Sequence, residues 1–161
     1  MSDSILVVLV VVPHEGRYLI VEERNGAFFL PAGKVEPGEN LIAAAVRETA
    51  EEAGILIGLR GLLGFDHSHS PANGGTTKLR FAFVGYPAIL AEPKREADHH
   101  SRGAGWFTRS EIQKLPLRHP EVLTWIERHE RGTPLLPCAA YEPLGLGPPP
   151  RSWSATLSTR R

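Results

Sequence analysis

The chain has 161 residues, room for one domain whose core needs no disulfide staples. Its 18 Lys and Arg balance its 18 Asp and Glu, so the formal net charge is +0 and no uniform basic field exists to hold a long nucleic acid. At 42% hydrophobic and 22% charged it is neither disordered overall nor collagen-like, and its one cysteine, Cys138, excludes an internal disulfide or a cysteine-based zinc site and suits a reducing compartment.

The longest apolar run, Ile5–Val12, is β-branched and uninterrupted and reads as a buried strand. It falls far short of the roughly 20 residues of a membrane span. Met1-Ser2-Asp3-Ser4 precedes it, not the basic start of a signal peptide, so the expected location is cytoplasmic with no membrane partner. Pro13 stops the strand and Gly16 allows a turn, which predicts a second strand over Arg17–Glu23 hairpinned to the first. Asn25-Gly26 is a turn dipeptide, and Ala27–Leu30 runs extended into Pro31-Ala32-Gly33. After the Pro37-Gly38 break the pattern predicts a helix from Asn40 to Ala53. Asn40 or Glu39 supports its start, and Gly54 sits where a left-handed cap is wanted. Ile42, Val46, Thr49 and Ala53 fall on one stripe of that helix and predict its core face.

Strands resume over Ile55–His69, as one or two, then a turn at Pro71–Gly75 and a strand over Thr76–Tyr86. Glu92–Arg102 reads as a polar loop, Trp106-Phe107 as the restart of ordered structure, and Ser110–Lys114 and Pro120–Glu130 as two helices. Residues 134–161 are proline-rich, and Arg151, Arg160 and Arg161 are unaccompanied by acids after Glu142, which predicts a loosely ordered tail after a domain of residues 1–133. Trp153, within the tail, is unexplained. The order strands, helix, strands, helices predicts a mixed α/β fold with helices on both sides of a sheet.

The chemistry concentrates in Gly33–Ile55. Glu48, Glu51 and Glu52 are spaced i, i+3, i+4 and share one helix face. Three such glutamates are ordinarily a solvated acidic face; the sharper reading is a hard-cation site, because clustered carboxylate oxygens suit Mg²⁺ or Mn²⁺. The whole string reads Gly33, Glu39, then Arg47-Glu48-Thr49-Ala50-Glu51-Glu52-Ala53-Gly54-Ile55. This resembles the signature box of the Nudix hydrolases, G-x5-E-x7-R-E-U-x-E-E-x-G-U with U apolar. Every fixed identity matches, Ile55 fits its apolar slot, and Thr49 is the one softer match. Outside the box, Phe28-Phe29-Leu30-Pro31-Ala32-Gly33 and Trp106-Phe107-Thr108 resemble the family's flanking segments, and Leu117-Arg118-His119-Pro120-Glu121-Val122 is similar to small, MutT-like members with phosphatase-like activity.

The resemblance implies an α/β/α sandwich with a mixed central sheet. It also implies a Mg²⁺- or Mn²⁺-dependent hydrolase of nucleoside di- or triphosphates or a related small pyrophosphate, with water attacking a phosphorus of the diphosphate. By match to the box, Glu48, Glu51 and Glu52 would ligate metal with the Gly33 carbonyl. Glu48 would be ligand, base for the water, or both. Arg47 would orient a box carboxylate, and Glu39 would brace the loop. A further acid from outside the box is expected at Glu96 or Asp98. Arg24 and Lys34 are candidates for phosphate contact, and Phe28 for stacking on a base, against a plain core role. His67 and His69 lie on one side of a strand without a third ligand, and His99-His100 either face the substrate or are simply exposed. The expected partner is a small nucleotide or pyrophosphate, with the chain a monomer or homodimer. ADP-ribose or another nucleotide sugar is the alternative substrate, and a non-catalytic nucleotide-binding module is the alternative class. Retention of every box glutamate argues against the latter, and the zero net charge argues against mRNA cap removal.

Overall fold

The computed structural model describes residues 4–70 and 75–141. Ser4–Val11 forms β1, Pro13–His14 β2, Arg17–Glu22 β3, Phe28–Phe29 β4 and Ala32–Lys34 β5. Leu41–Ala53 is helix α1. Ile57–Ser70 and Thr76–Pro87 are the long strands β6 and β7, and Gly103–Phe107 is β8. Arg109–Ile112 and Glu121–Glu130 are helices α2 and α3.

Two sheets result. The larger runs β5-β1-β7-β6. Within it β1 lies parallel to β7 and antiparallel to β5, and β6 is antiparallel to β7. In the smaller, β3 pairs antiparallel with β2, β4 and β8. This differs from the expected hairpin of the first two strands. Pro13 has no N–H for a ladder, and the chain bends there from one sheet to the other, so β3 takes the short β2 as its partner and β1 stays in the larger sheet. The single strand β6 fills the span read as one or two, with register shifts at Leu59/Gly61 and Leu62/Gly64. The turn expected at 71–75 falls mostly outside the described residues.

Alternation along β1 fills both faces. Val8, Val10 and Val12 pack with Ile42, Ala44, Ala45, Ala53 and Ile55 under α1. Leu9 and Val11 pack with Ile112, Val122, Trp125 and Ile126 under α2 and α3. A sheet layer between two helical layers is the α/β/α sandwich expected, with Trp125 a core residue. On α1, Ile42, Thr49 and Ala53 are buried as the stripe predicted, while Val46 is only partly so. Thr49 suits its buried slot because its hydroxyl donates to the Ala45 carbonyl at 2.8 Å.

Packing continues past residue 133. Leu136 exchanges two backbone hydrogen bonds with Leu62, and Leu135 lies on the α3-side core. The Leu41 N–H donates to the Tyr141 hydroxyl at 3.3 Å. The expected loose tail is therefore held to β6 at Leu136 and to the start of α1 at Tyr141; its remainder, with Trp153, lies outside the described residues. Among the described residues no helix is long and apolar enough to cross a membrane.

Candidate active site

Helix α1 sets the site. Asn40 caps its start, accepting from the Ala43 N–H at 2.8 Å, and Gly54 ends it in the left-handed region at φ 69°. The last four carbonyls of a helix lack partners within it, and here each finds one. Ala50 receives the Gly54 N–H, and Ala53 receives the Lys94 N–H at 2.8 Å. The Glu51 carbonyl receives Lys94 Nζ at 2.7 Å, and that of Glu52 receives Ser101 Oγ at 2.6 Å. The polar loop after β7 thus clamps the end of α1 that carries the carboxylates, and the Lys94 charge complements the helix dipole there.

Arg47 is the hub of the box. Its guanidinium makes two hydrogen bonds to Glu39, each of 2.8 Å, and others to Glu48 Oε1 at 2.9 Å and Glu51 Oε2 at 3.0 Å. It also donates to the Lys34 carbonyl at 3.0 Å. Such a fork, with charge on both sides, fixes carboxylate orientation as well as adding attraction. Burial pushes the Glu39 carboxyl up, but the Arg47 and Glu36 hydrogen bonds and the Arg47 charge outweigh it and leave its pKa below the ordinary value. Those same bonds, the one to Glu39 first, hold Arg47 more firmly protonated than usual.

Gly33 lies in β5 opposite Val8, not in a turn. A Cβ built there would stand 2.0 Å from the Glu48 carboxyl carbon, so the Glu48 carboxylate occupies the space that any other residue would fill. Burial raises the pKa of Glu48 despite Arg47, with Glu51 and Glu39 adding repulsion.

Glu52 is different. Its carboxylate accepts the Ala32 N–H at 3.0 Å and has no cationic side chain on it among the described residues. Burial raises its pKa to about 8, and the charges of Glu48 and Glu23 add to the rise, against the Ala32 N–H and the Arg118 charge. An acid this deep among protein atoms is expensive to ionise without a counter-charge. The donor set of Glu48, Glu51 and Glu52 is all hard oxygen, as a divalent cation prefers, and Glu52 lacks a cationic side chain among the described residues. Glu48 and Glu51 are turned toward Arg47, so the side chains do not form a ready group of three ligands.

Other candidates are scattered. Asp98 is committed to Lys94 Nζ at 2.9 Å and to the His100 and Ser101 N–H groups, and those contacts, the Lys94 bond first, hold its carboxyl below the usual range. It braces the loop and does not join the box carboxylates. Glu96 is exposed and makes no ion pair among the described residues. Arg24 is exposed and donates to the Asp98 carbonyl, again a loop contact. Lys34 reaches the box only through its carbonyl, because its side chain alternates to the face of β5 opposite Gly33. Phe28 packs edge-on to Phe107 and bridges to Leu117, which places it in the core and not on a base. His67 and His69 are exposed on β6, and no group of three or more metal-ligating side chains includes them among the described residues. The His99 and His100 rings lie 3.9 Å apart, and His100 Nδ1 stands 3.7 Å from Glu51 Oε2, the one histidine placed at the box.

Two neighbours of Glu52 escaped the reading as site residues. Arg118 is ion-paired to Glu23, and its guanidinium carbon sits 3.6 Å over the Phe29 ring. The pair is separated by 95 positions in sequence, so no local spacing announces it. The only signal was the similarity of the 117–122 segment to small phosphatase-like members.

An α/β/α sandwich with a glutamate-bearing helix laid over a glycine strand defines a class of pyrophosphate-bond hydrolases, and the comparisons name it. Residues 3–126 match the NUDIX domain, and the chain belongs to the Nudix hydrolases. It is 36% identical over 106 residues to the 8-oxo-dGDP phosphatase NUDT18 of Mus musculus, covering 65% of this chain and 31% of that protein. It is 35% identical over 129 residues to the phosphatase NudJ of Shigella boydii, covering 76% of this chain and 80% of that one. A solved NUDIX hydrolase from Nitrosomonas europaea superposes with a TM-score of 0.75 at 33% identity, over 88% of this chain and 97% of its own. The chain spans about a third of the length of the mammalian relatives it matches, 31% and 37%.

Proposed function

We propose that this chain is a Mg²⁺- or Mn²⁺-dependent hydrolase of a nucleoside di- or triphosphate or a related small pyrophosphate, with water attacking a phosphorus of the diphosphate. The observation that carries the proposal is Glu52: a carboxylate crowded by protein, beside two more, with no cationic side chain on it among the described residues. Glu48, Glu51 and Glu52 would hold the ion. When bound, it supplies neutralisation of the phosphate charge, polarisation of phosphoryl oxygens and a more acidic water. Arg47 keeps Glu48 and Glu51 oriented, and Glu39 keeps Arg47 oriented. Gly33 gives Glu48 its space. Protons and cations compete for the Glu52 oxygens, so binding an ion there releases a proton. Little is asked of the protein beyond placement and electrostatics, as is general for phosphoryl transfer.

The 8-oxo-dGDP phosphatase and the phosphatase NudJ among the relatives support a terminal phosphate, while an ADP-ribose pyrophosphatase of Methanocaldococcus jannaschii, 28% identical over 126 residues, supports the alternative of a nucleotide sugar. A panel of nucleoside di- and triphosphates, ADP-ribose and small pyrophosphates, run with Mg²⁺ in ¹⁸O-labelled water, tests this. Expected are turnover of a di- or triphosphate, label in one product phosphate, loss of turnover with EDTA and return with Mg²⁺ or Mn²⁺. Turnover that persists in EDTA would overturn the cation requirement.

A further inference from the structure

Two arginines flank the box carboxylates, and they differ in what their donors do. Every nitrogen of the Arg47 guanidinium is engaged, by Glu39, Glu48, Glu51 and the Lys34 carbonyl. Arg118 makes one side-chain hydrogen bond among the described residues, from Nη1 to Glu23. Its side chain is 45% exposed, against 23% for Arg47. It is nonetheless held in place. The Arg118 N–H donates to the Phe28 carbonyl at 2.9 Å, the Phe28 N–H donates to the Pro116 carbonyl at 3.0 Å, and the guanidinium carbon sits over the Phe29 ring. The same stretch delivers the Ala32 N–H to Glu52, so Arg118 and the deepest box carboxylate hang from one short piece of chain.

We propose that Arg118 is a phosphate-binding residue of this site, stacked on Phe29 and presenting its free guanidinium N–H groups to the substrate's phosphate chain, with Glu23 the carboxylate that holds it until phosphate competes. The proposal rests on the reading of the chain as a pyrophosphate-bond hydrolase. A guanidinium fork matches phosphate oxygens, and one already fixed on an aromatic face loses little freedom in binding them. Glu23 is then a competing anion, and removing its charge frees the fork while the stack and the Phe28 bond keep it placed.

The test measures competitive inhibition by methylenediphosphonate, a non-hydrolysable diphosphate, against the best substrate of the panel with Mg²⁺ saturating. For Arg118→Gln the inhibition constant and KM are expected to rise about tenfold or more, the loss typical of a charge-assisted contact, with kcat falling less. Arg118→Lys is expected to restore part of the affinity, because it keeps the charge and loses the fork. Glu23→Gln is expected to bind the inhibitor as tightly as the parent or tighter. Opposite signs for two residues joined by one ion pair are not produced by mere structural damage, which lowers both. An unchanged inhibition constant in Arg118→Gln, or equal losses in both variants with unchanged melting temperatures, overturns the proposal. A parent chain that turns over nothing in the panel sinks the hydrolase reading itself, which is a separate outcome.

Discussion

Among the described residues two arginines each gather more than one acid into a network, one on each side of the sheet. On the α1 side Arg47 joins Glu39, Glu48 and Glu51. On the α3 side Arg80 joins Asp66 at 2.6 and 2.7 Å and Glu121 at 2.6 Å, tying β6 and β7 to the start of α3. Both raise the pKa of their arginine, first through a hydrogen bond to a carboxylate. The bonds around Arg80 are if anything shorter, and there one arginine faces two carboxylates, against three around Arg47. The Arg47 network adjoins Glu52, which it does not reach, and leaves Glu48 with a raised pKa despite the arginine. Tight ion pairing is common to both networks; the box differs in its larger excess of partly buried carboxylate.

That contrast can be broken by substitution. Glu52→Gln is expected to lower kcat by about 10² or more while the cation-free protein melts at or above the parent temperature, because an acid that the fold makes costly to ionise is removed. A parallel fall in both would show Glu52 to be structural. Gly33→Ala should displace the Glu48 carboxylate and cost about tenfold or more in kcat, as expected for a misplaced group, with the β1–β5 pairing kept in amide exchange. Arg80→Met should do the reverse, leaving kcat/KM within about twofold while costing about 1–2 kcal/mol in urea unfolding, a discounted value for a half-exposed network. The smallest effect concerns acid. Because the pKa of Glu39 is lowered in the folded chain, its contribution is fully present above the ordinary value of 4.5 and is lost as pH falls through the folded value. Glu39→Gln should accordingly flatten the decline of melting temperature below about pH 4.5. An unaltered slope would mean that the Arg47 bonds are not what lowers that group.

What could be read from the sequence was local. Helix α1, its Asn40 cap and its Gly54 stop follow from spacings within a few turns of one helix, and they stand where the spacing put them. Gly33 was legible as a site position but not for its physical reason, since only the fold lays Glu48 over its Cα. Arg24 and Lys34 lie near the box along the chain, but the fold gives Arg24 a loop contact and turns Lys34 to the far face of its strand, and Phe28 packs against Phe107. Glu23 and Arg118 were hidden for the opposite reason: the parallel bridge between Phe28 and Leu117 that brings them together joins distant segments. The role of Pro13 as the point where the chain leaves one sheet for the other was equally non-local.

The clamp on the far end of α1 limits how this site could be transplanted. A graft of residues 33–55 into another scaffold would carry every box carboxylate, yet it would arrive without Lys94 and Ser101, leaving three terminal carbonyls without partners. The last helical turn, which bears Glu51 and Glu52, would then fray. The smallest portable unit is the box together with the Lys94–Ser101 buckle, and an engineer who moves one without the other should expect the acids to wander.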